Sequence, residues 1–124
     1  MHRRRRGTAI VETPDGILVV SAGGRTYYLP GGVARRGESR KNAATRELRE
    51  ETGLIATDCS YLFEYISFSN YHKVFLIKCT GTPKPRHEIK HIAYFNPKKS
   101  NIKVSGTTRK MIEKYYVVNN SGAR

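Results

Sequence analysis

Acidic residues, cysteines and long apolar runs are all scarce in this chain of 124 residues. Its two cysteines, Cys59 and Cys79, are too few for a disulfide scaffold. A reducing cytoplasm is the expected setting, with a single Cys59–Cys79 bridge left open. No apolar stretch approaches the roughly 18 residues of a membrane span, and residues 17–20 and 74–77 are only strand-sized. Glycine and proline number 11 and 5, which excludes collagen-like and low-complexity chains. The run Arg3-Arg4-Arg5-Arg6 carries the charge of a secretory leader, but Glu12 and Pro14-Asp15-Gly16 interrupt any apolar segment after it, so no export signal is read. What is present suffices for a modest core: 38% hydrophobic residues, with 8 Tyr and 4 Phe. The length implies one domain over residues 1–124, with residues 1–6 as a flexible basic arm.

The charge is one-sided, 23 Lys and Arg against 10 Asp and Glu, for a net +13. A field of that sign favours polyanions, nucleotides and nucleic acid among them, though it names no chemistry and also describes a plain solvated surface. The placement of the scarce acids is more informative. Glu38, Glu47, Glu50 and Glu51 crowd into residues 38–51. Ser39 is a suitable N-cap, Ala43, Ala44 and Leu48 are good helix formers, and Gly53 suits the stop. On that helix Ala44 and Leu48 share a core face, while Glu47, Glu50 and Glu51, spaced 0, 3 and 4, share another. Like charges at those spacings each cost about 0.2–0.5 kcal/mol, and a divalent cation reverses the sign. Hard oxygen ligands suit Mg2+ or Mn2+ rather than zinc. A solvated Glu/Arg face is the ordinary alternative for such a helix.

From Gly32 the chain reads Gly, five residues, Glu38, seven residues, then Arg46-Glu47-Leu48-Arg49-Glu50-Glu51-Thr52-Gly53-Leu54. This resembles the Nudix box, Gly-x5-Glu-x7-Arg-Glu-U-x-Glu-Glu-x-Gly-U with U aliphatic, and every specified position matches. At typical residue frequencies a chance match falls below about 10⁻⁷. The resemblance implies an α+β fold over essentially the whole chain, an α/β/α sandwich with a mixed sheet, the box helix and a C-terminal helix. It implies Mg2+ (or Mn2+) held by Glu47, Glu50 and Glu51, with the Gly32 carbonyl and Glu88 as further ligands. Glu38 and Arg46 then hold the box geometry, with Gly37 and Gly53 at its turns. Glu51, Glu50, Glu47, Arg46 and Glu88 form the implied catalytic set, with the base left open among Glu50, Glu51 and Glu88. Glu88 is aligned through Tyr94-Phe95, which stands where relatives carry a Trp-Phe-like pair.

Elsewhere the patterning gives strands at residues 8–13, 17–22, 26–29, 58–68, 71–79 and 89–95, and a helix over 105–118 followed by a tail. Arg25, Arg35 and Arg36 are candidates for substrate phosphates, and Tyr27, Tyr28, Tyr65 and Phe68 for stacking a base. His72, His87 and His91 show no metal spacing. The implied activity is Mg-dependent hydrolysis of a nucleoside diphosphate linked to another moiety, a (d)NTP or related nucleotide, by water attack at phosphorus. Two alternatives stay open: removal of pyrophosphate from RNA 5′ ends, which would use the basic surface, and a non-catalytic nucleotide- or nucleic-acid-binding domain. No membrane partner is expected, and the oligomeric state is not encoded legibly.

Overall fold

The structure, a computed structural model, describes residues 2–99 and 101–123. Its first strand, β1 (Arg4–Ile10), leads through β2 (Glu12–Thr13), β3 (Gly16–Ser21), β4 (Thr26–Tyr27) and β5 (Gly31–Val33) into helix α1 (Arg40–Thr52). Strands β6 (Ile55–Ile66), β7 (Asn70–Thr80), β8 (His91–Phe95) and β9 (Lys103–Val104) follow, and helix α2 (Gly106–Ala123) comes last. A four-stranded mixed sheet has the order β5-β1-β7-β6, with β1 parallel to β7 and the other pairs antiparallel. Strands β2, β3 and β8 make an antiparallel sheet, and β4 pairs with β9 in parallel.

Strand alternation sorts the core into two layers. Ile10 and Val74 join Met111, Ile112 and Tyr115 of α2, whereas their neighbours Ala9, Val11, Phe75 and Ile77 join Ala44 and Leu48 of α1. Side chains one residue apart on a strand point to opposite faces, so the mixed sheet lies between the helices as an α/β/α sandwich. Helix α1 sits tightly on β1 because Gly7 has no side chain. A Cβ there would land on the Arg40 carbonyl oxygen and the Ala44 nitrogen. Ser39 caps α1 by accepting from the Asn42 N–H at 3.0 Å, and Gly53 ends it with φ 81, its N–H donating to the Arg49 carbonyl at 2.8 Å. That left-handed backbone costs a glycine little.

Several elements depart from expectation. Arg4, Arg5 and Arg6 of the expected arm are instead strand: they open β1 and pair with Asn70, Tyr71 and His72 of β7. Met1 lies outside the described residues. The expected strand at 8–13 is two strands broken at Val11, and β5 and β9 appear where turn or loop was read. Helix α2 continues through Ala123 rather than stopping at Val118; Arg124 is outside the described residues. Cys59 and Cys79 are both free thiols, so the disulfide left open is absent. Among the described residues no helix is long and apolar enough to cross a membrane.

Candidate active site

The loop from β5 into α1 is fastened by one arginine. Arg46 donates from Nε to Glu38 Oε2 at 2.8 Å and from Nη2 to Oε1 at 3.0 Å, a two-pronged clasp that ties the loop to the helix. Glu38 Oε1 also accepts the Arg35 N–H at 2.9 Å. The Arg46 hydrogen bonds, then that backbone donor, hold the Glu38 carboxyl down to about 2. Arg46 Nη1 reaches Glu50 Oε1 at 3.1 Å and Glu47 Oε2 at 3.5 Å. One guanidinium thus touches three of the four box carboxylates.

Glu51 is the fourth, and it is different. It is only 7% exposed, and Oε1 accepts the Gly31 N–H from β5 at 3.3 Å. Burial, then the charge of Glu47, pushes its carboxyl up to about 8, against the pull of the Gly31 N–H and of Arg6. Glu47 is also raised, by burial first, with Glu50 and Glu88 adding repulsion and Arg46 opposing. Gly32 makes room for Glu47: a Cβ on Gly32 would collide with Oε2. The carboxylate therefore lies against the β5 backbone at Gly32.

Glu88 stands on the loop between β7 and β8, exposed to solvent, yet its charge raises both Glu47 and Glu51. The loop reaches the cluster because it closes on the end of α1, where the Lys84 and Arg86 N–H groups donate to the Thr52 and Glu51 carbonyls at 3.0 and 3.1 Å. Among the described residues, no three Asp, Glu, His or Cys side chains already converge as a metal site. The donor chemistry nonetheless fits a hard divalent cation. Burial and mutual repulsion raise the Glu47 and Glu51 carboxyls, and an adjacent positive charge would oppose both effects.

The other candidates divide. Arg25 is exposed in the turn between β3 and β4, Arg36 is exposed after β5, and Arg35 makes an exposed pair with Glu50 at 3.7 Å. Tyr28, 49% exposed, and Phe68, 77% exposed, border a cavity of about 420 Å³ that Glu51 also lines. Tyr27 and Tyr65 pack against the core beneath α2 instead of opening to a ligand. Gly37, at φ 78, turns the chain between Arg36 and Glu38. His87 and His91 are exposed; His72 is buried against Thr8, its Nδ1 and the Thr8 hydroxyl sharing a hydrogen bond of 2.8 Å. Reasoning from the sequence passed over Arg6, which lines the same cavity as Glu51. Its signal was its parity with Thr8 and Ile10 on an inward strand face.

The NUDIX domain family matches residues 1–115. A crystal structure from Chromobacterium violaceum assigned to the nudix hydrolase family superposes with a TM-score of 0.89 at 43% identity, covering 96% of this chain and 80% of that one. A UDP-X diphosphatase superposes at 0.79 with 21% identity, covering 100% and 66% of the two chains. A MutT NUDIX hydrolase from Burkholderia pseudomallei superposes at 0.76 with 20% identity, covering 92% and 98%. The last two, at such identity, share the fold. No curated protein matches the chain.

Proposed function

The chain belongs to the NUDIX family, hydrolases acting on pyrophosphate bonds, and from that premise we propose that it cleaves the pyrophosphate linkage of a (d)NTP or a related nucleoside diphosphate derivative, with Mg2+ or Mn2+ as cofactor. The observation that carries this reading is the buried Glu51 carboxyl set against Glu47 and beside the Gly31 N–H. A protein has little reason to bury adjoining carboxylates unless a cation and a polyphosphate complete the site.

Glu47, Glu50, Glu51 and Glu88 would hold the metal, with the Gly32 carbonyl beside them. The bound ion would supply positive charge to the diphosphate oxygens and acidify water. Arg46 keeps Glu38, Glu47 and Glu50 in one arrangement, so the loop and helix approach the substrate as a unit. A carboxylate of this group takes the proton of the attacking water, the bond from phosphorus to the bridging oxygen breaks, and the leaving phosphate carries the charge away. Glu51→Gln keeps the shape of the side chain and removes its anionic form.

The test is release of phosphate and pyrophosphate with Mg2+ over a panel of (d)NTPs, sugar nucleotides, ADP-ribose, dinucleoside polyphosphates and 5′-triphosphate RNA. The expected result is one preferred nucleotide, with turnover lowered at least about 10²-fold in Glu51→Gln. Equal turnover by that variant, or no hydrolysis of any member, overturns the reading. Preference for the RNA would move the substrate to the polyanion that the +13 charge favours.

A further inference from the structure

Among the described residues, each partly buried arginine around the carboxylate group has a side-chain partner except one. Arg46 binds Glu38, Glu47 and Glu50, Arg35 pairs with Glu50, and Arg40 pairs with Glu64 at 3.4 Å. The Arg6 side chain, half-buried on β1, makes no hydrogen bond and no ion pair with any described residue. It feels Glu51 and Glu47 only at longer range, and burial weakens its hold on its proton. Its cross-strand partner gives no counter-charge: His72 is kept neutral at pH 7 by burial and by Arg6 itself, its imidazolium being pushed down to about 4. A partly desolvated guanidinium carries five N–H donors in a fixed fork that matches phosphate oxygens. With all five free of protein partners, the fork is open to an anionic ligand.

The space around Arg6 says what the ligand is attached to. Arg6 and Glu51 line the same cavity of about 420 Å³, within the usual range for a small-molecule site. Its border carries two exposed aromatic rings, Tyr28 and Phe68. Asn70 also lines it, with its Oδ1 buried and without a donor among the described residues. A flat ring joined to a phosphate meets the two rings and the guanidinium together.

We propose that Arg6 is the phosphate-binding residue of the substrate's nucleoside half: it grips the phosphate bonded to the nucleoside, while the base enters the cavity bordered by Tyr28 and Phe68. This deepens the pyrophosphohydrolase reading and rests on it for the reaction, though not for the binding. It moves phosphate recognition from the exposed Arg25, Arg35 and Arg36 to a strand residue beside Glu51.

The test measures steady-state kinetics at saturating Mg2+ and calorimetric binding of a methylene-bridged, non-hydrolysable nucleoside triphosphate. The variants are Arg6→Gln, Arg6→Lys and Phe68→Ala, each checked by thermal melting. In Arg6→Gln, KM and the analogue's Kd should rise roughly ten- to hundredfold, with kcat changed far less and Arg6→Lys partly restoring binding. Phe68→Ala, altering a ring that is 77% exposed, should weaken binding by roughly fivefold or more. If Arg6→Gln does not fold, Arg6→Lys and Phe68→Ala decide, since unchanged binding in both overturns the proposal. Unchanged KM and Kd in a folded Arg6→Gln also overturn it, as does a variant that alters only the Mg2+ requirement, which would make Arg6 a counter-charge for the carboxylates. Wild-type protein that binds the analogue through Arg6 yet hydrolyses nothing would leave this inference standing and remove the hydrolase reading.

Discussion

His72 shows how a single side chain sets the acid tolerance of the sheet. Its ring is 5% exposed and hydrogen-bonded to Thr8, and burial first, then Arg6, holds its pKa near 4, below the ordinary 6.5. A histidine that resists protonation when folded but accepts it when unfolded favours the unfolded chain as acid is added. Its contribution is intact above about pH 6.5, is lost progressively as pH falls towards 4, and changes no further below that, a swing of about 3 kcal/mol. Melting temperatures between pH 7 and 4 should therefore fall less steeply in His72→Asn than in wild type, each measured against its own value at pH 7. Parallel slopes would mean that His72 does not carry the acid response. At this scale the box was legible, because Glu38, Arg46, Glu47, Glu50 and Glu51 stand at fixed spacings along one turn and one helix. Arg6 was not, because a run of four arginines reads as solvated charge. Only the two-residue repeat linking Arg6 with Thr8 and Ile10 separates it from its neighbours.

Helix α1 was readable almost to the residue, since its start and stop are written as Ser39 and Gly53 and its inner face as Ala44 and Leu48. Strand β5 was not, for Gly31 and Gly32 suggest a turn; the strand exists because β1 offers a free edge, with Gly7 opposite Gly32 and Thr8 opposite Gly31. Two residues, Lys103–Val104, are likewise too short for any periodicity, and β9 forms only by pairing with Thr26–Tyr27. How α1 meets β1 gives a prediction at this scale. Gly7→Ala would push a methyl group into the α1 backbone at Arg40 and Ala44, which cannot swing aside as a side chain can. It should cost about 3 kcal/mol and lower turnover, because α1 carries Arg46 and Glu47 away from Gly32. Ser39→Ala, which loses only the cap, should cost about 1 kcal/mol and leave turnover near wild type. Urea unfolding of both variants checks the order; equal losses would mean that α1 is not packed backbone-to-backbone on β1.

Across the whole molecule, the basic N-terminal residues bear on stability as well as charge. Had residues 2–6 formed an arm, their removal would alter only the salt dependence of polyanion binding. Because Arg4–Arg6 pair with Asn70–His72, and Arg6 also with Val33, removal strips the first half of a strand held on both sides. Deleting residues 2–6 should lower the urea midpoint markedly, whereas Arg4→Ser with Arg5→Ser, which keeps the backbone and removes two exposed charges, should leave it almost unchanged. A deletion variant as stable as wild type would restore the arm. The same strand also orders events in time. The hydrogen-bonded pair Thr8 and His72 lies 64 residues apart in the chain, and closing so long a loop must precede any gain from the contact. As the polypeptide leaves the ribosome, β1 can meet β5 early, but its other edge and the site wall that β7 supplies wait until Thr80 has been made. A nascent chain halted before Asn70 would hold the entire carboxylate motif with an open strand edge and half a core, a natural client for chaperones and the point at which aggregation competes with folding.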